Sequence, residues 1–488
     1  MNSKLKEDEK KVKYNNIDSK HLNTLSKNKY ILLITALSYF LSGYVVSVIS
    51  IALPNMARDF AVSAVAQNWI AIIFFLTIAI FSIPFGKISA KFGLKKTFYL
   101  GLILLIIGSL GVSVSNSSNF LIAFRALQGF SVAILNVSTL AIVTESMPPH
   151  ERGKGIGIIT SIAYVGLIVA NILGGFLTHN FGWRSVFLFV IPFLILTILI
   201  TYFKVSDEWI FSKGEKFDYI GALIFGLAIS FLTYGFTTIH ELNGIILVLL
   251  AIISFAIFGK WQLKSKFPLF PIKIIKNRVF TFASFAAFLC SFATFVITYI
   301  VDYHLQYIKG IDPQLTGLIL MLAPLSMAIS TFFAGRLSDK FNPRILASSG
   351  LTLAFISLII LAFMDSTTTI PVIIMAIILE GVGYGMFISP NTNIVMSSLP
   401  DKFASIASAT VSTTRVIGET LSLGMLTVTF AIIMGSLQIL PQYFHLLIVS
   451  SKIVAIIASI GCLAGIFVSL IGVKINFIEK ISILGLKK

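Results

Sequence analysis

Five ionisable side chains stand inside stretches that are otherwise apolar: Arg125, Asp302, Glu380, Arg415 and Glu419. In a bilayer each such group costs about 2.5–3.5 kcal/mol at the middle of a helix, so each needs a reason. The chemistry open to them is proton uptake and release and the holding of charged groups. Arg125 lies three residues before Gln128. A buried arginine keeps its charge. Arg125 therefore either holds a carboxylate or an anionic part of a substrate, or it hydrogen-bonds Gln128 and the backbone of the first span. Arg415 and Glu419 are one helical turn apart. They form a closed ion pair, or Glu419 titrates toward a cavity. Glu380 precedes Gly381-Val382-Gly383, where small residues let helices approach. Asp302 sits beside His304 near the end of its stretch, where water could reach it.

The elements that must position these groups follow from composition. The chain has 488 residues, of which 57% are hydrophobic and 12% charged. No soluble domain of this length has that balance. Fourteen runs are long enough for the roughly 20 residues that a spanning helix needs. They cover 30–54, 67–85, 97–115, 120–143, 156–178, 183–203, 217–239, 244–263, 279–306, 315–334, 345–364, 371–396, 404–434 and 451–473. The net charge of +17 is topological. With both termini cytoplasmic, 31 of the 37 Lys and Arg fall on the inner side and four (Arg58, Arg184, Lys309, Lys452) on the outer side. That placement argues against nucleic acid and for contact with membrane lipid. The first 29 residues are too polar for a signal peptide and read as a short disordered tail. Cys290 and Cys462 both lie in spans, so no disulfide framework is implied. No GxxxxGK[ST] loop is present, which excludes direct drive by ATP through that motif. No metal and no cofactor are implied.

A short basic segment occurs twice. Gly86 to Lys96 reads GKISAKFGLKK and Gly335 to Arg344 reads GRLSDKFNPR, each after the second span of a half. Duplication of this kind marks transporter bundles. The expected organisation is a polar tail (1–29), a six-helix half (30–203), two inserted helices with a basic connector (204–278), a second six-helix half (279–473) and a cytoplasmic tail (474–488). Within the third section, Lys260 to Arg278 carries six basic residues and Pro268 and Pro271, and is expected to lie on the membrane surface. The repeated loops are expected to act as a conformational latch built on Gly86, Lys91, Gly93, Asp339 and Arg344. Their basic residues would meet Glu145, Glu151 or Asp339, and those contacts would break as the protein opens.

These features resemble the major facilitator superfamily, and within it the 14-span drug:proton antiporter branch. Gly86, Lys91, Gly93, Lys95 and Lys96 match the family's loop motif, and Gly335, Asp339, Lys340 and Arg344 echo it. FRALQG, with Arg125, Gln128 and Gly129, matches the motif of the fourth span. Gly157, Gly166, Gly174 and Gly175 have the spacing of the antiporter motif of the fifth. FDYIGAL from Phe217 and PLFPIKIIKNRVF from Pro268 are typical of the 14-span branch. The resemblance implies an all-α membrane protein of two pseudo-symmetric six-helix halves plus two inserted central helices. It also implies that spans 4, 9 and 12, which carry Arg125, Asp302 and Glu380, face a central cavity. The fifth-span glycines, with Asn171 where the family has Pro, would pack against another helix, such as the eighth or eleventh. Four positions depart from the pattern. Val45 replaces the Asp nine residues before Pro54, Ala90 replaces the loop Asp, and Ala170-Asn171 replaces a Gly-Pro pair.

The resulting expectation is a prokaryotic plasma-membrane exporter, not an enzyme. As a monomer it would move a small amphipathic or drug-like molecule outward by alternating access in exchange for protons. With Val45 unable to carry a proton, Glu419, or failing it Glu380, would take over coupling. A weakly coupled facilitator of a metabolite or lipid-like compound is the alternative, and a sensor or scaffold without flux is a third.

Overall fold

The computed structural model describes residues 2–147, 152–210, 216–338, 340–400 and 404–471. Among the described residues every regular element is a helix, and there are no strands. Fourteen helices are long and apolar enough to cross a membrane. We number them α1 (Lys29–Asp59), α2 (Ala64–Phe92), α3 (Leu94–Ser113), α4 (Ser118–Ser146), α5 (Gly155–Phe181), α6 (Ser185–Lys204), α7 (Tyr219–Thr237), α8 (Leu242–Lys264), α9 (Arg278–Ile308), α10 (Pro313–Ser338), α11 (Pro343–Ala362), α12 (Ile370–Ser397), α13 (Ala407–Ile433) and α14 (Pro441–Leu470). Helix is the form such runs must take, because a bilayer leaves backbone polar groups no other partner. Short polar residues start the helices at their ends. Ser63, Asp218, Asn277 and Asp312 accept hydrogen bonds from the backbone N–H groups of Ala66, Gly221, Phe280 and Leu315.

Three expectations need correction. α14 begins at Pro441, not at 451, so Lys452 lies within a span rather than in an outer segment. The extra start, PQYFHLLIVS, contains polar residues that masked the apolar run. The polar lead-in also continues helically into α1, whose helix is assigned from Asn2 to Asp59; Lys, Glu and Leu are good helix formers. Finally, the basic connector expected at 260–278 is not one separate segment, because its first residues, 260–264, belong to the spanning helix α8. Only a 3-10 turn, Ile272–Lys276, then precedes α9. Pro268 and Pro271 block a longer helix.

Small residues set the packing. α1 and α5 touch closely. A Cβ on Gly43 would meet the carbonyl oxygen of Ala163 at 2.5 Å, one on Gly174 would meet Val48 at 2.6 Å, and one on Gly166 would collide with the carbonyl of Phe40. Gly175 faces the start of α10, where a Cβ would lie 2.5 Å from the carbonyl of Pro313. The fifth-span glycines thus pack on α1 and α10, not on the eighth or eleventh span. Gly157 has nothing within 4 Å. Asn171 accepts a hydrogen bond from Ser47 of α1 at 3.2 Å. The inserted helices α7 and α8 pack on each other; α7 also reaches α2 and α13.

Candidate functional site

The two halves meet most tightly at the end remote from the basic loops. There α9 finishes in a π-helical turn, His304–Ile308. Wide turns of this kind recur at functional places in helices. Three side chains at this end of α9 reach the first half. The Tyr303 hydroxyl lies 2.7 Å from Asn68 Oδ1 of α2. The Tyr307 hydroxyl lies 3.2 Å from Gln67 Oε1, with the Arg58 guanidinium 5.2 Å from the centre of its ring. Gln306 Nε2 donates to Asp302 Oδ1 at 2.7 Å and to the Ile51 carbonyl of α1 at 3.1 Å. The backbone N–H of Ala64 adds a bond to the carbonyl of Leu437.

Asp302 is therefore not wetted: it is 0% exposed, covered by the seal. Its Oδ2, Gln67 Nε2, Asn68 Nδ2 and His304 Nε2 are buried without a hydrogen-bond partner. Burying a polar atom unpaired is costly, and a group of them calls for an explanation. An end that opens to water would satisfy all four.

Nearer the middle of the bundle, Arg125 is wholly buried. It donates to Gln128 Oε1 at 2.8 Å and to the carbonyl of Ile70 at 3.4 Å, and its guanidinium stacks 4.2 Å over Phe74. Gln128 in turn donates to Ser109 at 3.0 Å. The expected partner Gln128 is present, but the backbone partner belongs to α2 rather than the first span. No ion pair joins Arg125 to a carboxylate among the described residues, and its Nη2 has no partner. Tyr299, which sequence reasoning missed, lies within electrostatic reach of Arg125, Asp302 and Glu419 together.

Arg415 Nε lies 3.3 Å from Glu419 Oε1, with their side chains 40% and 13% exposed. The charges are paired by distance, but the N–H is not aligned as a hydrogen bond. α13 packs among α2, α9 and α14, and the Arg415 side chain stays partly exposed although its Nε is buried. Tyr39 of α1, Tyr164 of α5 and Tyr384 of α12 surround it closely enough to feel its charge. Glu380 sits one turn before Tyr384, near Cys290, with no hydrogen bond or ion pair among the described residues.

At the basic end the first repeated loop binds the segment after α6 and the second binds the end of α14. Gly93 has φ +111, a conformation that favours glycine, and a Cβ there would strike the Glu208 carboxylate. Glu208 accepts from the backbone N–H of Lys95 at 2.9 Å, and the carbonyl of Trp209 accepts from Leu94 at 3.0 Å. The Lys95 ammonium reaches the carbonyl of Val205. Arg344 reaches the carbonyl of Ile471 at the end of α14. Lys91 lies over Phe92, 5.5 Å from the ring centre. The expected partner Glu145 makes no ion pair among the described residues, and Asp339 and Glu151 lie outside them. Gly86 has room for a side chain, since its nearest neighbour would be 3.9 Å away. Glu208, which sequence reasoning missed, holds the loop through the backbone N–H of Lys95; nothing but its place after α6 would have revealed it. No group of three or more metal-ligating side chains occurs among the described residues.

Comparison with known proteins agrees with this architecture. The family model of the Major Facilitator Superfamily matches residues 35–423. A riboflavin transporter, RibZ, of Clostridioides difficile (strain 630) is 26% identical over 390 residues, covering 80% of this chain and 85% of the relative. The multidrug resistance protein Stp of Mycobacterium tuberculosis (strain CDC 1551 / Oshkosh) is 26% identical over 404 residues, covering 81% and 74%. Among solved structures, a bacterial homologue of the human lysosomal transporter Spinster, in an inward-facing and unoccupied conformation, aligns with a TM-score of 0.64 at 18% identity. It covers 91% of this chain and 97% of that one.

Proposed function

Because the chain belongs to the Major Facilitator Superfamily, we propose that it exports a small amphipathic molecule by alternating access, in exchange for protons. It is a multi-pass membrane transporter and not an enzyme. The basic end is the cytoplasmic one on the positive-inside argument, and both termini lie there. The arrangement then corresponds to an inward-open state. One observation carries the reading: at the outer end Tyr303, Gln306 and Tyr307 bind the opposite half, while Arg415, in the inner part of α13, keeps a partly exposed side chain.

The substrate would sit among Tyr39, Tyr164, Tyr384 and the Arg415–Glu419 pair. Aromatic rings beside a guanidinium suit a flat, partly polar compound. The relatives named for riboflavin transport and multidrug resistance support that class. Glu419 would carry the coupled proton, with Arg415 holding its ionised form in one state and drawn away in the other; Glu380 is the reserve. Arg125, Gln128 and Asp302 would complete the polar interior. The loops at Gly86–Lys96 and Gly335–Arg344 would form their latch across the halves only when the inner end closes. The chain would work as a monomer.

A second reading has its own observation. Val45 is fully buried where the branch usually has Asp, which favours a weakly coupled facilitator. Flux of riboflavin and of ethidium into inverted vesicles separates the two. Uphill accumulation that collapses when the pH gradient is discharged supports the exporter; gradient-independent equilibration supports the facilitator; no flux of either compound or of a wider panel removes both.

A further inference from the structure

The inserted helices α7 and α8 end, on the basic side, in a groove that plays no part in the transport reading. It is an open groove of about 240 Å³ lined by Lys216, Asp218, Tyr219, Trp261, Lys266 and Phe267. Asp218 holds the groove in shape. Its Oδ1 accepts from Gly221 N–H at 2.9 Å and Trp261 Nε1 at 2.8 Å, and its Oδ2 accepts from Gln262 at 2.8 Å. The carboxylate is thus engaged by three donors, and the end of α8 is tied to the start of α7. Lys216 and Lys266, by contrast, have no hydrogen bond or ion pair among the described residues. Lys260, Lys264, Lys273 and Lys276 extend the positive field around them. Above the groove, Ile220, Leu223, Ile253 and Ile257 are half or more exposed, forming an apolar path along the two helices.

We propose that this groove binds the headgroup phosphate of an anionic phospholipid of the inner leaflet, with an acyl chain along the exposed faces of α7 and α8. The assignment of the leaflet rests on the orientation proposed above; the site itself does not depend on transport. Four features support it. Two unpaired ammonium groups flank a preformed space. Tyr219 and Trp261 sit at its rim, as aromatic rings do at a membrane boundary. Basic pockets between spanning helices on the cytoplasmic side are suited to lipid phosphates. The volume is that of about eight waters at about 30 Å³ each, enough for a phosphate with its glycerol. The bound lipid would brace the inserted pair, whose α8 has little protein around it besides α7.

The test is native mass spectrometry of the delipidated full chain, titrated with phosphatidylglycerol or phosphatidylcholine, with glycerol 3-phosphate as soluble competitor. The wild type should retain phosphatidylglycerol preferentially. Lys216→Gln with Lys266→Gln should weaken that retention by roughly thirty-fold, about fivefold for each lysine near a charged surface. Lys273→Gln with Lys276→Gln, outside the groove lining, should leave most of it. Equal retention by the groove variant and the wild type would overturn the site. Equal loss in both double variants would reduce it to general surface charge, and displacement of the lipid by glycerol 3-phosphate at matching concentration would make it a free-phosphate site. Because the readout is binding, a failed transport assay would not affect it.

Discussion

Tyr303→Phe removes one hydroxyl from the outer seal and nothing else. Its hydroxyl lies 2.7 Å from Oδ1 of Asn68. Asn68 is 0% exposed, and its Nδ2 already lacks a partner. The variant therefore leaves both ends of a buried amide unpaired, which costs about 1–3 kcal/mol. When the outer end opens, water takes the place of the lost bond, so the cost falls on the sealed state alone. A bias of that size shifts a two-state equilibrium by roughly 5- to 150-fold. Spin labels on cysteines introduced at Val62 and Lys309 would report the outer end, and labels at Phe92 and Phe341 the inner end. The native cysteines are buried and should stay unlabelled. In Tyr303→Phe the outer pair should move to longer distances and the inner pair to shorter ones. Distance distributions identical to wild type in both pairs would refute the idea that this hydroxyl holds the outer end shut.

The α5 glycines should separate by position. Gly166→Leu should remain in the membrane and lose transport, because its side chain would meet the Phe40 backbone. Gly157→Leu, which has free space here, should keep this conformation and block closure of the inner end; wild-type flux in either variant would remove the packing argument. Glu208→Ala should lower thermal stability by about 0.5–2 kcal/mol, the usual worth of a helix cap, and an unchanged melting curve would show that the bond to Lys95 contributes nothing. Single cysteines at Phe92 and Phe341, both exposed at the basic end, should label only from the cytoplasm and one at Ser117 only from outside; reversed labelling would invert the topology.

The helices were legible because a bilayer forces a long apolar run into one form. Where a span opens with polar residues, as PQYFHLL does before Lys452, hydropathy alone misplaced its start. Packing partners were less legible. The spacing of Gly166, Gly174 and Gly175 announces a smooth face, but it does not say that the face meets α1 and α10. The site split in the same way. Arg125, Arg415 and Glu419 were visible because charge in an apolar run is conspicuous, and Gln128 because it stands in the FRALQG segment. Tyr299, Tyr303, Gln306 and Tyr307 were not, since tyrosine and glutamine pass unnoticed among apolar neighbours. Tyr299 and Tyr303 lie one α-helical turn apart, and the π-helical end of α9 carries Gln306 and Tyr307. Asp302 was read as wetted because sequence position near a helix end suggests water; the closed seal is what buries it. Glu208 was invisible because its contact spans a separation of 113 residues.

The coupling role of Glu419 is the central claim, and one comparison tests it most directly. Wild type and Glu419→Gln, with Glu380→Gln as control, would be reconstituted in vesicles and assayed for riboflavin accumulation against its gradient under an imposed pH gradient, and for riboflavin counterflow without one. Glutamine keeps the shape and removes the titrating group. The account predicts that Glu419→Gln loses accumulation while retaining counterflow, and that Glu380→Gln keeps both. Uphill accumulation by Glu419→Gln that still collapses when the pH gradient is discharged would contradict it. Glu419 would then be only the partner of Arg415, with coupling at Glu380 or Asp302.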